Sequence, residues 1–341
     1  MPPSRAYAAL SSSLALPLLL PLLAPRPAAA GALGYIYALT QNGTTNHLNF
    51  VSVDLTTWEM AVGPDLGPVL DTFGGAAAVH GGLFWTDGWG ATDTLLLAFD
   101  PSSRALVKEL NCSSWPGGGP PFVVGLFPMV DGRLLVVGAY GSGNQSRVTL
   151  FAVDPATDEA ALLADLAPAE CASYCADAEF DAVGGLLYMV AGEEDDGDDA
   201  VLVVLNVSAA PVALAAAVPL SHHFAFPQWD AKTRSIFGLE LSTGPYARNM
   251  TLLADPARTR AFSPTSHGAL GDGLYVILSE GPKAFDPATR RAFYMLANGP
   301  FAEFDVATVD IDADPVQLLE TPGLCGFIGY CPQAFAFAPG S

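Results

Sequence analysis

Basic residues are scarce in this chain of 341 residues. Lys and Arg together number 14, against 35 Asp and Glu, so the formal net charge at neutral pH is -21. A surface with this charge repels phosphate backbones and anionic lipid headgroups. We therefore expect no nucleic acid among the partners of this protein.

The chain also lacks the sequence motifs of common enzyme classes. It has no Gly-x-Ser-x-Gly elbow, no Gly-x-x-x-x-Gly-Lys phosphate loop, no His-Glu-x-x-His motif and no nucleotide-binding fingerprint. One long uncharged run, 200–220, has the length of a membrane helix. However, Asn206 and Pro211 near its centre favour two buried strands joined by a turn. We expect no membrane span in the mature chain.

The N-terminal 30 residues have the order of a secretory signal. Arg5 precedes an apolar stretch over 14–24, and residues 28–30 are alanines. The stretch is about half of the roughly 20 residues that a spanning helix requires. We expect cleavage after Ala30, export to the extracellular space or the secretory-pathway lumen, and a single mature domain over 31–341. Sequencing of the native N-terminus would then read from Gly31.

The asparagine contexts agree with export. Five of the eight asparagines stand in an Asn-x-Ser/Thr acceptor sequence, whereas chance would place about one of eight there. Such sequences accept N-glycans in secreted chains. The predicted glycosylation sites are Asn42, Asn111, Asn144, Asn206 and Asn249.

Five cysteines in an exported chain indicate disulfides and one residue left over. Cys171 is close in sequence to Cys175, and Cys325 to Cys331, so each pair can close a small loop. Cys112 is then unpaired, although it could instead pair with Cys171 or Cys175. A zinc site, which requires four closely grouped ligands, does not fit these spacings.

Glycine and proline are abundant, with 34 and 28 residues, which favours short strands joined by turns. The strand-like runs end at turns led by Asp or Asn, whose side chains bond the backbone that follows. These turns are predicted at Asp54, Asp100, Asp154, Asn206, Asp255 and Asp305. A second turn, rich in Gly or basic residues, precedes most of them. Each unit of about 50 residues therefore contains two hairpins and four strands.

Four short strands at this interval are typical of β-propeller blades. Six units of about 52 residues fit the mature chain. The predicted fold is therefore an all-β, six-bladed β-propeller of four-stranded blades. The first unit lacks its innermost strand, and residues 333–337 can supply it. We expect this C-terminal strand to pair with the N-terminal blade and close the ring. The segment 266–282 has no assigned place.

At fold level the chain resembles the six-bladed propellers, which include NHL-repeat proteins, YWTD modules and gluconolactonase- and paraoxonase-like hydrolases. The resemblance lies in blade spacing and turn chemistry over 31–341, and no YWTD tetrapeptide is present. In the paraoxonase-like group, carboxylate and amide oxygens hold a calcium ion at the channel. The resemblance thus implies candidate metal ligands at Glu179, Gln228 and Gln333. The alternative is that these polar residues bind water.

Two further groups of residues are candidates for chemistry. Asp310, Asp312 and Asp314 alternate at a turn that could bind calcium, as could the acidic run 193–199, although an ordinary turn and a solvated loop are the preferred explanations. His222 and His223 could supply a general base. Adjacent strand residues point in opposite directions, so at most one histidine would face a shared site.

Loops between second and third strands and connections between blades share one face of a propeller. With this loop-rich face and no catalytic motif, the predicted function is that of a secreted, N-glycosylated binding module. Its partner would be an extracellular protein, a glycan or a small molecule. The alternative is a calcium-dependent hydrolase of lactones or esters with its site at the central channel. Beyond calcium, no cofactor is expected.

Overall fold

The computed structural model describes most of the chain between residues 34 and 339. The described stretches are 34–42, 47–67, 76–89, 93–120, 122–140, 147–167, 175–191, 201–220, 224–241, 247–254, 265–269, 274–276, 283–298, 304–312, 317–320 and 330–339. They contain β-strands, turns and two short 3-10 helices, Cys112–Ser114 and Pro116–Gly118. Within these stretches no helix has the length and apolar character needed to cross a membrane.

The strands are numbered in chain order. They are β1 (Tyr35–Asn42), β2 (Leu48–Asp54), β3 (Met60–Asp65), β4 (Ala77–His80), β5 (Leu83–Trp89), β6 (Thr94–Asp100), β7 (Ala105–Asn111), β8 (Val123–Pro128), β9 (Leu134–Tyr140), β10 (Arg147–Val153), β11 (Ala160–Leu166), β12 (Cys175–Asp181), β13 (Leu186–Ala191), β14 (Val201–Asn206), β15 (Ala213–Pro219), β16 (Phe224–Asp230), β17 (Ser235–Leu241), β18 (Ala247–Ala254), β19 (Thr265–Ala269), β20 (Leu274–Val276), β21 (Lys283–Asp286), β22 (Arg291–Asn298), β23 (Phe304–Asp310), β24 (Gln317–Glu320) and β25 (Tyr330–Ala338).

These strands form antiparallel sheets in a β-propeller arrangement. Five sheets are regular four-stranded blades: sheet 1 (β25-β1-β2-β3), sheet 2 (β4 to β7), sheet 3 (β8 to β11), sheet 4 (β12 to β15) and sheet 5 (β16 to β19). Sheet 6 is irregular, with the order β20-β22-β23-β24 and β21 also paired to β22. The predicted all-β propeller class is confirmed.

The inner strands of neighbouring sheets touch one another in sequence. Each inner strand contacts the next: β25 contacts β4, β4 contacts β8, β8 contacts β12, β12 contacts β16, and β16 contacts β21. The last of them, β21, contacts β25. The pairing predicted between the chain ends is present in sheet 1, where β25 runs antiparallel to β1. Tyr35 faces Ala338 at one end and Asn42 faces Tyr330 at the other.

The hydrophobic core lies between the sheets. The third strands β6 and β10 are buried continuously over 94–99 and 148–153, which are apolar except for Thr94 and Thr149, because neighbouring sheets cover both of their faces. Aromatic rings join sheet 1 to sheet 2, with the ring centroid of Phe50 at 5.4 Å from Phe84 and 5.5 Å from Phe99. The outer strands β7, β11 and β15 are exposed along much of their length.

The predicted turns after the third strands are mostly present. A backbone N–H two residues later donates to the side-chain oxygen of four predicted turn residues, which are Asp54, Asp100, Asp154 and Asn206. Asp255 lies outside the described residues. The turn predicted at Asp305 is wrong, because Asp305 pairs with Leu296 inside the long hairpin of β22 and β23. The turn begins at Asp310 instead, whose Oδ1 accepts from the Asp312 N–H at 3.1 Å.

The structure assigns strands to the segments 200–220 and 266–282. The run 200–220 forms the two predicted strands, β14 and β15, in which Leu202 faces Val218. β14 is buried as predicted, but the prediction that β15 is buried is wrong, because it is the outer strand of sheet 4 and is mostly exposed. The segment 266–282, which the sequence left unassigned, contributes to two different sheets. Its first residues belong to β19 of sheet 5, and β20 pairs with β22 in sheet 6.

Candidate functional site

An axial cavity of about 370 Å³ lies between the inner strands. All six inner strands contribute to its wall, including Val79 of β4, Leu126 of β8 and Ala336 of β25. Of its described lining residues, the exposed ones are Pro128, Ala231 and Pro287, at the C-terminal ends of inner strands. The cavity therefore opens on the face of the inner hairpin turns.

This opening is at the opposite end of the blades from the loops between second and third strands, since consecutive connections of an antiparallel sheet alternate between its ends. Those loops were predicted to carry the binding face. The acidic run 193–199 is among them, and it lies outside the described residues.

A buried ion pair joins three sheets beside the cavity. Lys283 of β21 donates from Nζ to Asp177 Oδ1 of β12 at 2.6 Å. The same ammonium donates to the carbonyl oxygens of Ala178 at 2.8 Å and Pro227 at 2.6 Å. All three protons of the ammonium thus have acceptors within the protein, so Lys283 has no donor left for a ligand.

Asp177 has its second oxygen occupied as well. The N–H of Phe226 donates to Asp177 Oδ2 at 2.7 Å. Phe226 is fully buried and has a φ of 54°, an uncommon value for a bulky residue, next to an irregularity in the pairing of β16. Burial raises the pKa of Asp177, and Lys283 opposes that rise. The two donors favour the ionised carboxylate at neutral pH.

Gln228 lies on the cavity wall with only half of its amide satisfied. Its Nε2 donates to the carbonyl oxygen of Ala284 at 3.0 Å. Its Oε1 is buried and has no hydrogen-bond partner among the described residues. The residue is only 1% exposed. A buried acceptor without a hydrogen bond lowers the folding stability by about 1–3 kcal/mol, so a donor on a bound molecule would stabilise this oxygen.

Glu179 also lines the cavity, on the same side of β12 as Asp177. Burial raises the pKa of Glu179 to about 7, and the Asp177 carboxylate adds to that effect, while Lys283 and the Phe180 N–H oppose it. The Phe180 N–H donates to Glu179 Oε1 at 3.1 Å. Glu179 therefore changes its charge close to neutral pH, which is the property required of a general acid or base.

Replacing Glu179 by glutamine is expected to flatten the pH dependence of stability. The folded protein holds the Glu179 proton up to about pH 7, whereas the unfolded chain releases it near the ordinary value of 4.5. The contribution of Glu179 to the free energy of unfolding is therefore complete below about pH 4.5 and is lost as the pH rises through 7. The free energy of unfolding of Glu179→Gln, relative to that of wild type, should rise by roughly 2 kcal/mol between pH 4.5 and 8, after allowance for solvent in the cavity.

Urea unfolding at pH 4.5, 6 and 8 measures this gain as the difference between variant and wild type. Glu109→Gln, at an exposed position of β7, is the matched control and should follow wild type throughout. If both variants follow the wild-type pH profile, the pKa of Glu179 is not raised.

The structure brings two of the three predicted channel residues together. Glu179 and Gln228 both line the cavity, whereas Gln333 is in β25 with its side chain outside the description. Sequence reasoning missed Asp177 and Lys283. The available signal was the alternation of Asp177 with Glu179, which places two carboxylates on one side of a strand.

The second calcium candidate is only partly described. Asp312 accepts a hydrogen bond from Arg290 Nε at 2.5 Å, and Arg290 also pairs with the buried Asp230. The Asp310 carboxylate accepts a hydrogen bond from the backbone of its own turn. Asp314, His222 and His223 lie outside the described residues. Within the described stretches, no three His, Cys, Asp or Glu side chains form a group that could hold a metal.

The residues predicted to carry glycans and disulfides are distributed over several strands. Asn111 is exposed at the end of β7, and its Oδ1 accepts from the Ser113 N–H at 2.8 Å. Of the other glycan sites, Asn206 ends β14, Asn42 and Asn249 belong to β1 and β18, and Asn144 is not described.

Cys112 is a buried free thiol, and burial raises its pKa to about 12. Cys175 is in β12 and Cys331 in β25, without a description of their side chains. Cys171 and Cys325 lie outside the described residues. The two predicted disulfides therefore stay predictions.

Comparison with known proteins supports the fold alone. No family model and no curated protein sequence matches the chain. Among solved structures it is similar to TolB from Acinetobacter baumannii, with a TM-score of 0.58, 11% identity, and coverage of 90% of this chain and 67% of that one. A functionally unknown protein from Desulfotomaculum acetoxidans has a TM-score of 0.55 and 9% identity, with coverage of 89% and 90%. A candidate 6-phosphogluconolactonase from Bacteroides fragilis has a TM-score of 0.51 and 10% identity, with coverage of 92% and 100%.

Proposed function

We propose that this protein is a six-bladed β-propeller that binds a small polar organic molecule in its axial cavity. The observation that carries the proposal is the unpartnered Oε1 of Gln228, buried in the wall of a cavity that also contains Glu179. A mostly apolar cavity with a few polar groups is the usual form of a small-molecule site.

The blade count rests on the inner strands. Six inner strands contact one another in sequence, and the last, β21, contacts the first, β25. All six also line the cavity. These contacts support a closed ring in which the irregular sheet 6 is the sixth blade and β25 completes the first.

A calcium-dependent hydrolase is the second candidate. The raised pKa of Glu179 favours it, because acid–base catalysis requires a group that titrates near the working pH. The calcium ion is less well supported. Calcium takes about six to eight oxygen ligands. Among the described residues, Asp177 is already bound by Lys283, which leaves Glu179 and Gln228 as candidate ligands. We therefore place binding of an organic molecule first.

The binding proposal is tested by closing the mouth of the cavity. Ala231 is exposed at the mouth, so Ala231→Trp should obstruct entry without disturbing the core. We expect saturation-transfer NMR with a mixture of small organic cations, anions and neutral compounds to detect binding to wild type. Binding should fall at least tenfold in Ala231→Trp.

The control is Ala156→Trp, because Ala156 is exposed in a hairpin turn and does not line the cavity. This variant should bind like wild type. The proposal fails if no compound of any class binds to wild type, or if binding survives unchanged in Ala231→Trp.

Export and N-glycosylation stay part of the proposal. They rest on the signal-like order of residues 1–30 and on the five acceptor sequences. The loop-rich face remains a second proposed surface for an extracellular partner.

A further inference from the structure

The hydrogen-bonding groups around the axial cavity can be counted one by one. Lys283 has three acceptors for its three protons, and Asp177 accepts from Lys283 and from Phe226. The amide N–H of Gln228 is bound to the Ala284 carbonyl. Among the described lining residues, the side-chain groups that can still accept are the buried Oε1 of Gln228, which has no hydrogen-bond partner, and the carboxyl group of Glu179, which accepts from the Phe180 N–H.

Two further buried polar groups near the cavity have no hydrogen-bond partner among the described residues, but they are not counted among the open groups of the cavity. Trp229 Nε1 is one, but its ring stacks on Tyr188 at 5.4 Å between sheets 4 and 5. Adjacent strand residues point in opposite directions, so this N–H is turned away from Gln228. The Tyr294 hydroxyl is the other, and it can donate or accept. Tyr294 is paired with Lys283 and interacts with the Asp177 and Glu179 carboxylates, but it does not line the cavity itself.

The open side-chain groups of the described lining residues are thus acceptors. A phosphate or carboxylate ligand requires donors, and the Lys283 ammonium beside the cavity is already saturated. With Glu179 ionised, Asp177, Lys283 and Glu179 sum to one negative charge. Aromatic residues also line the cavity, among them Phe127, Phe285 and Phe337. Aromatic rings attract organic cations that have left water.

We propose that the ligand of the axial cavity is a small organic cation with N–H donors, a protonated amine, bound by Gln228 Oε1 and the Glu179 carboxylate. This inference rests on the proposed function, since it names the chemical class of the molecule that the same cavity binds. An ammonium ion satisfies the orphaned Gln228 oxygen and neutralises the net charge of the cavity.

Binding of an amine must then depend on pH. The groups that face Glu179 are Asp177 on its own strand, Lys283 on β21 and Tyr294 on β22. Of these, Glu179 changes charge near pH 7. The ionised fraction of a group with a pKa of about 7 rises roughly tenfold from pH 6 to pH 8, and a primary amine stays protonated over this range. The affinity for an amine should therefore rise about tenfold over the same interval.

The test uses three probes that share one ring: benzylamine, benzyl alcohol and benzoate. Calorimetric titration of the full chain at pH 8 should give an affinity for benzylamine at least tenfold above that for benzyl alcohol, and no binding of benzoate. Benzylamine should bind about tenfold more weakly at pH 6. Glu179→Gln and Gln228→Leu should each weaken benzylamine at pH 8 by about tenfold, whereas Glu109→Gln should not.

The outcomes separate this inference from the proposed function. If benzyl alcohol or benzoate binds as well as benzylamine and Ala231→Trp abolishes that binding, the cavity is a ligand site but the cation is wrong. If none of the three binds, the inference fails, and the broader NMR mixture decides the proposed function. The pH dependence of wild type requires no substitution, so it tests the role of Glu179 even if Gln228→Leu does not fold.

Discussion

A chain that ends at residue 329 is expected to lose its cooperative folding. The deletion removes β25, which pairs with β1 along its length and contacts β4 and β21. It also removes Ala334 and Phe335, whose side chains are completely buried. Sheet 1 would lose its inner strand, and both the edge of β1 and the core behind it would face water. This loss is comparable to the whole stability of a domain, about 5–15 kcal/mol.

Circular dichroism during heating measures the effect, and size-exclusion chromatography reports association through the exposed edge. The matched control is a chain that ends at Ala338, which keeps β25 and should melt like the full-length protein. A chain ending at residue 329 that melts at the full-length temperature would show that β25 does not hold the propeller together.

Lys283→Met is expected to destabilise the protein by about 3–5 kcal/mol, the usual cost of removing one partner from a buried ion pair. The variant leaves Asp177 buried next to Glu179 without a counter-charge. It also removes the donor that joins β12, β16 and β21. Adding Asp177→Asn should restore part of the loss, because the double variant has no uncompensated charge at Asp177.

Urea unfolding at pH 7 measures the free energies for this cycle. The control is Lys108→Met, which removes an ion pair with Asp158 at the outer edge of the propeller and should cost only about 0–1 kcal/mol. Equal losses in Lys283→Met and Lys108→Met, or a double variant less stable than Lys283→Met alone, would contradict a stabilising role for the buried pair.

Local chemistry made much of the fold predictable. Asp100 and Asp154 bond to the backbone two residues later, and this contact requires nothing beyond the turn itself. The apolar run 95–99 is buried as its composition indicates. The pairing of β25 with β1 was predictable because the first unit lacked a strand that another part of the chain had to provide.

Prediction failed where the repeat departed from its average length. Asp305 stood at the expected interval, but β22 and β23 pair over seven residue pairs, so the turn begins at Asp310. The extra strand β20 accompanies this longer hairpin in sheet 6. The partners of a strand decide where its hairpin turns, and those partners cannot be read from the local sequence.

The sequence by itself determined the propeller class, the turn chemistry and the polar character of Glu179 and Gln228, because these depend on residues close together in the chain. The tertiary structure alone decided that Lys283 binds Asp177, since these residues are 106 positions apart and meet only when three sheets converge on one axis. It also decided the raised pKa of Glu179 and the orphaned oxygen of Gln228, because both result from burial in a cavity that forms only when all six inner strands are in place.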